Sequence, residues 1–254
     1  MSTNSKVVNS YNKSWYDTFW KNYKIPKANF WPHWKIIKPL LKGQSLEVGP
    51  GTKPKLPIRD SYFIEISHEA AKRLKRLGGK TFELDFVNKL PFPAEKFDLI
   101  CAFEVLEHIP NDIFVLHEIN RVIKKNGICL ISFPLNIRFW NDYDLAVGHI
   151  RRYNPKGIEK TFDTCGLKIV KYAALDIPWP GKISGYFLSF FAKKFPLVVS
   201  KIGASLDVKP NSPLRRPIRL IDWDKKSYKQ LLNSTTGFFV LKKFSDSMDT
   251  NKLR

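Results

Sequence analysis

Cysteine is scarce in this chain. Three residues of 254, Cys101, Cys129 and Cys165, stand apart without Cys-x-x-Cys or Cys-x-His spacing. An odd, scattered count argues against a disulfide framework and against a zinc knuckle, and points to a reducing compartment. Long apolar runs are missing as well. None approaches the ~18–20 residues that a membrane-spanning helix needs. The stretch Met1 to Ser10 is polar and lacks the apolar centre of a secretory signal, so the expected location is cytoplasmic. Acidic side chains are in deficit, 23 against 43 Lys and Arg, for a net charge of +20. Hydrophobic residues make up 43% of the chain, enough for a packed core, which rules out wholesale disorder.

The charge is unevenly placed. Residues 1–43 hold 8 basic and 1 acidic side chains, 44–177 hold 20 and 17, and 178–254 hold 15 and 5. The middle is nearly balanced, so attraction to an anionic partner falls to the flanks. Anionic membrane, nucleic acid and phosphorylated glycan carriers all meet that description. In the first flank Trp15, Tyr16, Phe19, Trp20 and Tyr23 are spaced to share one helical face. Such a helix either packs on the main domain or acts as a lid over a pocket.

From Ser45 the pattern becomes alternating. Strands are expected at 45–48, 62–66, 81–85, 97–102, 127–133, 167–173 and 236–243, with helices near 68–77, 113–123 and 155–164. Strands alternating with helices imply an α/β fold with a mainly parallel sheet. The expected division is a helical cap over 1–43, a core over 44–177, a basic helical insertion over 178–232, the last strand of the core over 233–244, and a flexible tail over 245–254.

Gly49 and Gly51 sit where the first strand should turn, and three acidic residues, Glu47, Glu65 and Asp85, each fall near the end of a successive strand. In open α/β sheets ligands bind at the carboxyl ends of the strands. A strand-end carboxylate can accept the two hydroxyls of a ribose, and another the exocyclic amine of adenine. A carboxylate cluster selects a cationic, hydroxylated ligand over a pyrophosphate, which wants positive groups and a free helix N-terminus. S-adenosylmethionine, with its sulfonium, ammonium, ribose and adenine, fits.

These stretches resemble class I S-adenosylmethionine-dependent methyltransferases of Rossmann-like fold. The likeness rests on Leu46-Glu47-Val48-Gly49-Pro50-Gly51, Phe63-Ile64-Glu65-Ile66-Ser67, Leu84-Asp85-Phe86 with Leu90-Pro91-Phe92-Pro93, Phe97-Asp98-Leu99-Ile100-Cys101 and Glu104-Val105-Leu106-Glu107-His108, and it covers about residues 44–175. It implies a three-layer sheet with an antiparallel last strand. It places Glu47, Gly49 and Gly51 around the methionine end of the cofactor, Glu65 at the ribose, and Asp85 with the backbone of Phe86 at the adenine, and it counts Ile66 and Glu104 among the cofactor-binding residues. Where the family often has a third glycine, this chain has Lys53 followed by Pro54, so its first helix is expected to start late or give way to a loop.

Two loops on the ligand side carry candidates for the chemistry, Glu104-Val105-Leu106-Glu107-His108 and Gly148-His149-Ile150-Arg151-Arg152-Tyr153. A hydroxyl acceptor profits from a general base, for which histidine is suited. The candidate catalytic residues are His149, His108 and Glu107. Glu104, Glu107, His108 and His149 are also a set that oxygen- and imidazole-binding cations accept. It is similar to the arrangement in quinone-pathway O-methyltransferases and small-RNA 2′-O-methyltransferases. The reading adopted at this point has no resident metal. Arg151 and Arg152 suit either an anionic acceptor or a salt bridge to Asp142 or Asp144. The second loop resembles that of bacterial methyltransferases of surface-glycan pathways.

The insertion combines an apolar stretch at 183–192, lysines on both sides, and a basic patch around Trp223. It reads as a lid, as an element lying in the membrane interface, or as a nucleic-acid contact. The expected function is methyl transfer from S-adenosylmethionine to a hydroxyl of a small-molecule, glycan- or lipid-linked acceptor. Peripheral contact with the inner face of an anionic membrane accompanies that reading. The alternatives are a metal-assisted O-methyltransferase for a quinone precursor or an RNA end, and a non-catalytic binding protein of the same fold.

Overall fold

The computed structural model describes residues 13–21, 23–85, 88–175 and 217–244. It contains an eight-stranded sheet in the order β3-β2-β1-β4-β5-β8-β6-β7. The strands are β1 (Ser45–Val48), β2 (Ser61–Glu65), β3 (Lys80–Glu83), β4 (Phe97–Phe103), β5 (Ile123–Pro134), β6 (Leu167–Leu175), β7 (Ile221–Asp222) and β8 (Thr236–Lys243). Strands β1 to β5 pair in parallel, and β8 enters antiparallel between β5 and β6. The expected parallel sheet with an antiparallel last strand is therefore present. Short β7 adds a second antiparallel strand at the far edge.

The helices are α1 (13–20), α2 (Trp34–Ile37), α3 (His68–Arg76), α4 (Asp112–Val122), α5 (Asp142–Val147), α6 (Ile158–Thr164) and α7 (Tyr228–Leu231). Ser67 caps α3 by accepting from the Ala70 amide at 3.2 Å, with Glu69 in the first turn and Arg73, Lys75 and Arg76 in the last. That charge order follows the helix dipole. Asn111 caps α4 in the same way through Phe114 N, at 3.1 Å.

The period-two alternation of the strands divides the core into two layers. On β4, Ile100 and Ala102 face a layer completed by Val115, Leu116 and Ile119 of α4 and by Ile158 and Phe162 of α6. Leu99, Cys101 and Phe103 face the other, with Leu74 of α3, Leu56 and Ile37. The three-layer α/β/α arrangement follows, with one departure. Residues 49–60 contain no helix. Pro54 and Pro57 remove amide donors from this stretch, and the vacated face is packed by Ile25, Trp34, Ile36, Leu40 and Leu41 of the N-terminal segment. The loop expected as one alternative after Gly51 is the one observed.

Strand β3 ends at Glu83, so Asp85 lies in the loop beyond it rather than on the strand. Phe86, residues 176–216 and residues 245–254 lie outside the described residues, and with them most of the expected insertion and the tail. Among the described residues, no helix is long and apolar enough to cross a membrane.

Candidate active site

The carboxyl ends of β1, β2 and β4 form the crevice. Gly49 and Gly51 hold left-handed backbone, at φ +63° and +54°. A side chain at either would strike a neighbour: a Cβ on Gly49 would lie 2.3 Å from Val105, and one on Gly51 2.5 Å from the Trp20 ring. Only glycine satisfies both the torsion and the close approach.

Glu47 is buried at the end of β1, and its two oxygens accept from the amides of Lys55 and Leu56 at 2.9–3.0 Å. It ties the helix-free loop back onto the sheet. Burial pushes its carboxyl up to about 7, against the pull of Lys55. Glu65, at the end of β2, accepts from Gly51 N at 2.8 Å and from Ser67 N at 2.9 Å. It too is raised to about 7, chiefly by burial. A carboxylate offers about four acceptor positions, so two amide bonds leave capacity for the hydroxyls of a ribose. Ile66 follows directly, and Asp85 stands half-buried in the loop after β3. The glycine cradle and the buried strand-end carboxylate fit a cationic, ribose-bearing cofactor.

Glu104 leaves β4 in left-handed backbone, φ 50°, a strained conformation for a residue with a side chain. Its Oε1 accepts from Ser132 Oγ of β5 at 2.7 Å, and the desolvation exerted by the crevice walls raises its carboxyl, although the side chain itself stays open to the crevice. The short 3-10 turn Leu106–His108 then places Glu107 fully inside. Among the described residues, neither Glu107 carboxyl oxygen has a hydrogen-bond partner. Burial, with Glu104 nearby, holds this carboxyl well above the usual carboxylate range. An orphaned buried carboxylate is costly, and what faces it is informative. His108 Nε2 lies 3.8 Å from Glu107 Oε1, and His149 Nε2 lies 3.6 Å from the same atom. One ligand atom from each of these three residues falls within 4.8 Å of the others.

Both imidazoles are oriented from behind. His149 Nδ1 is 2.7 Å from Asp144 Oδ1. Asp144 is held below the usual aspartate range against its own burial, by its bonds to His149 and Arg152, so it accepts and His149 Nδ1 donates. His108 Nδ1 is 3.1 Å from Gly148 O and 2.8 Å from the Tyr16 hydroxyl. Burial, with His149 alongside, lowers His108 to about 3, so its ring is neutral at ordinary pH. Two oriented imidazoles and a buried carboxylate fit a borderline divalent cation such as Zn²⁺ or Mn²⁺. Glu104, also named from the sequence as a ligand, is not part of this cluster; Ser132 engages it instead.

The arginines of the second loop take internal partners. Arg152 is buried, with Nε on Asp144 Oδ1 at 2.9 Å and Nη2 on Oδ2 at 3.1 Å. Arg151 pairs with Asp112 and donates to Pro110 O at 2.8 Å, and the Tyr153 hydroxyl donates to Asp112 Oδ2 at 2.7 Å. Of the two sequence alternatives, a salt bridge to Asp144 is the one found for Arg152. The Asp112 partner of Arg151 was not foreseen.

The sequence offered α1 as a packing helix or a lid, but not the particular contacts it makes in this site. Asp17 Oδ1 accepts from Ser67 Oγ at 2.6 Å and from Glu69 N at 3.1 Å, Trp20 lies on Gly51, and Tyr16 reaches His108. The one available signal was the pair of phenol tips, Tyr16 and Tyr23, in an otherwise apolar aromatic stripe.

Residues 37–172, more than half of the chain, match the family model described as a methyltransferase domain. A ubiquinone biosynthesis O-methyltransferase of Histophilus somni is 28% identical over 120 residues, which cover 46% of this chain and 48% of that protein. An uncharacterized protein of Methanocaldococcus jannaschii is 30% identical over 133 residues, 52% of this chain and 61% of its own. Each match spans less than two-thirds of the relative's length. Among solved structures, an S-adenosylmethionine-dependent methyltransferase of Thermotoga maritima superposes with a TM-score of 0.53 at 13% identity, covering 85% of this chain and 91% of that one. The cyclase SpnF does so at 0.52 and 17%, covering 83% and 79%. A cyclase among the neighbours illustrates that this fold does not dictate one reaction.

Proposed function

The chain belongs to the methyltransferase-domain family, and from that premise we propose that it is an S-adenosylmethionine-dependent enzyme that methylates a hydroxyl oxygen with the help of a divalent cation held by Glu107, His108 and His149. The observation that carries this reading is the Glu107 carboxyl group, buried without a hydrogen-bond partner among the described residues and faced by two imidazole Nε2 atoms. The acceptor oxygen would take the electrophilic methyl group of the bound sulfonium in line as the carbon–sulfur bond breaks, with S-adenosylhomocysteine as the leaving group and the hydroxyl proton passing to solvent. A cation held by Glu107, His108 and His149 would supply Lewis acidity there, lowering the pKa of an acceptor hydroxyl.

The chain's own residues do the remaining work. Glu65 and the Gly49–Gly51 turn hold the cofactor end of the crevice, and Glu47 keeps that turn's loop in place. Asp144 fixes the His149 ring, and Arg152 fixes Asp144. Both arginines of the 148–153 loop are occupied by carboxylates, which favours recognition of the acceptor through neighbouring hydroxyls over recognition through negative charge. A catechol or a vicinal diol has that chemistry. Ile137, Leu145 of α5 and Ile150 stand exposed in the segment after β5, which suits an acceptor with an apolar portion, including a lipid-linked one. The positive charge of the flanking sequence would favour an anionic membrane as the partner.

A second reading rests on the Asp144–His149 contact. A carboxylate-oriented imidazole can serve as a general base without any cation. The two separate in one experiment: methyl transfer from labelled S-adenosylmethionine to a panel of catechols and vicinal diols, after dialysis against chelator and again after Mn²⁺ or Zn²⁺ is restored. Loss and recovery, with an inactive but folded Glu107→Gln variant, supports the cation. Full activity in chelator overturns it and leaves His149 as the base.

A further inference from the structure

Helix α1 touches both halves of the site at once. At one end Asp17 holds Ser67 Oγ and the Glu69 amide beside the Glu65 carboxylate, and Trp20 covers Gly51. Arg73 donates to Trp20 O at 2.7 Å and to Tyr23 O, clamping the helix terminus to α3. On its other side the Tyr16 hydroxyl lies 2.8 Å from His108 Nδ1 and 3.1 Å from Val147 O. The Tyr16 and His108 rings meet edge to face, with centroids 5.8 Å apart.

The hydrogen positions in this network follow from its acceptors. Val147 O can only accept, so the Tyr16 hydroxyl donates to it. The Tyr16 oxygen is then the acceptor for His108 Nδ1–H. Gly148 O, 3.1 Å from the same nitrogen, can also only accept. Both partners require the proton on Nδ1, which leaves the Nε2 lone pair directed at Glu107. The Tyr16 contact is the shorter of the two, and it is the one that comes from outside the loops carrying the triad.

We propose that Tyr16 is a positioning residue: it fixes the tautomer and ring direction of His108, and through it the docking of α1 over the cofactor crevice is coupled to the completeness of the Glu107–His108–His149 ligand set. This rests on the cation reading above. Its distinctive consequence is action at a distance within one rigid helix. Asp17 touches no member of the triad, yet loosening its hold on Ser67 and Glu69 releases the helix that carries Tyr16.

The test is cation binding by the full chain, followed by calorimetry with Mn²⁺ and by the visible absorption of bound Co²⁺, which reports ligand number and geometry. Tyr16→Phe keeps the ring and removes only the hydroxyl. Groups behind a metal-bound histidine typically contribute about 10–100-fold in affinity, and because Gly148 O remains, the expected loss for Tyr16→Phe is about tenfold, with an altered Co²⁺ spectrum. Asp17→Ala is expected to weaken Mn²⁺ binding in the same direction. Thermal unfolding of each variant confirms that it is folded at the assay temperature. If wild-type protein binds neither cation, the cation reading itself fails. If wild-type protein binds and Tyr16→Phe binds within twofold with an unchanged spectrum, the Tyr16 assignment is overturned. If Tyr16→Phe is weakened and Asp17→Ala is not, the coupling through α1 is overturned.

Discussion

Cofactor affinity should depend on pH through Glu65. Its carboxyl is raised from an ordinary 4.5 to about 7 by burial, against the pull of the Ser67 and Gly51 amides. A cationic cofactor with ribose hydroxyls to donate favours the ionised form. With a pKa of 7, roughly one-tenth of the carboxyl is ionised at pH 6 and roughly nine-tenths at pH 8. Binding of S-adenosylmethionine should therefore be about tenfold weaker at pH 6 than at pH 8, or about 1.4 kcal/mol. Near pH 7 it should release a proton, seen as a dependence of the calorimetric enthalpy on the buffer's own ionisation enthalpy. The same shift acts on stability with a definite sign. Between about 4.5 and about 7 the unfolded chain has released a proton that the folded chain still holds at Glu65. The cofactor-free protein therefore loses stability as pH rises through that window, by at most ~3 kcal/mol from this group, and loses no more from it above. Glu65→Gln should bind the cofactor weakly and without the pH profile. Glu47→Gln should keep the profile, because Glu47 faces the Lys55 and Leu56 amides and not the open crevice. A wild-type Kd that changes less than twofold from pH 6 to pH 8, or a tenfold change surviving in Glu65→Gln, would refute the reasoning.

The buried pair Arg152–Asp144 makes a separate prediction: Arg152→Met should lower the unfolding free energy in urea by about 3–5 kcal/mol, the usual cost of stranding one partner of a buried ion pair, and an exposed-pair value below about 1 kcal/mol would contradict its burial. Gly51→Ala forces a side chain into left-handed backbone, at a cost of about 1–2 kcal/mol, and drives a Cβ to 2.5 Å from Trp20. The expected result is lost S-adenosylmethionine binding together with faster proteolysis inside residues 13–23, and wild-type rates of cleavage there would show that Trp20 does not rest on Gly51.

Much of the framework is local and was open to reading from the chain. Buried parallel strands announce themselves as short apolar runs, as at Phe97–Phe103, and the capping residues Ser67 and Asn111 stand directly before their helices. The carboxylates Glu47 and Glu65 followed from the same pattern, since the end of a strand is a sequence position before it is a place, whereas β3 stops at Glu83 and leaves Asp85 in the loop beyond. Even the missing helix after Gly51 was signalled by Lys53 and Pro54.

What the carboxylates and arginines do once placed is a different matter, because hydrogen bonds and ion pairs are settled by distances between segments that the sequence keeps apart. Glu47 and Glu65 look alike as strand-end acids, yet one spends both oxygens on the Lys55 and Leu56 amides while the other bridges Gly51 and Ser67. Arg151 and Arg152 are adjacent and chemically identical, yet the backbone turns one to Asp112 and the other to Asp144. Tyr16 and His108 are 92 positions apart and meet because α1 crosses the strand ends. The sequence by itself determined the layered sheet, the cofactor class and the residues available to the site. Only the tertiary structure decided which of those residues neutralise one another and which, like Glu107, are left buried and facing two imidazoles, because desolvation and pairing exist only once the chain has closed around them.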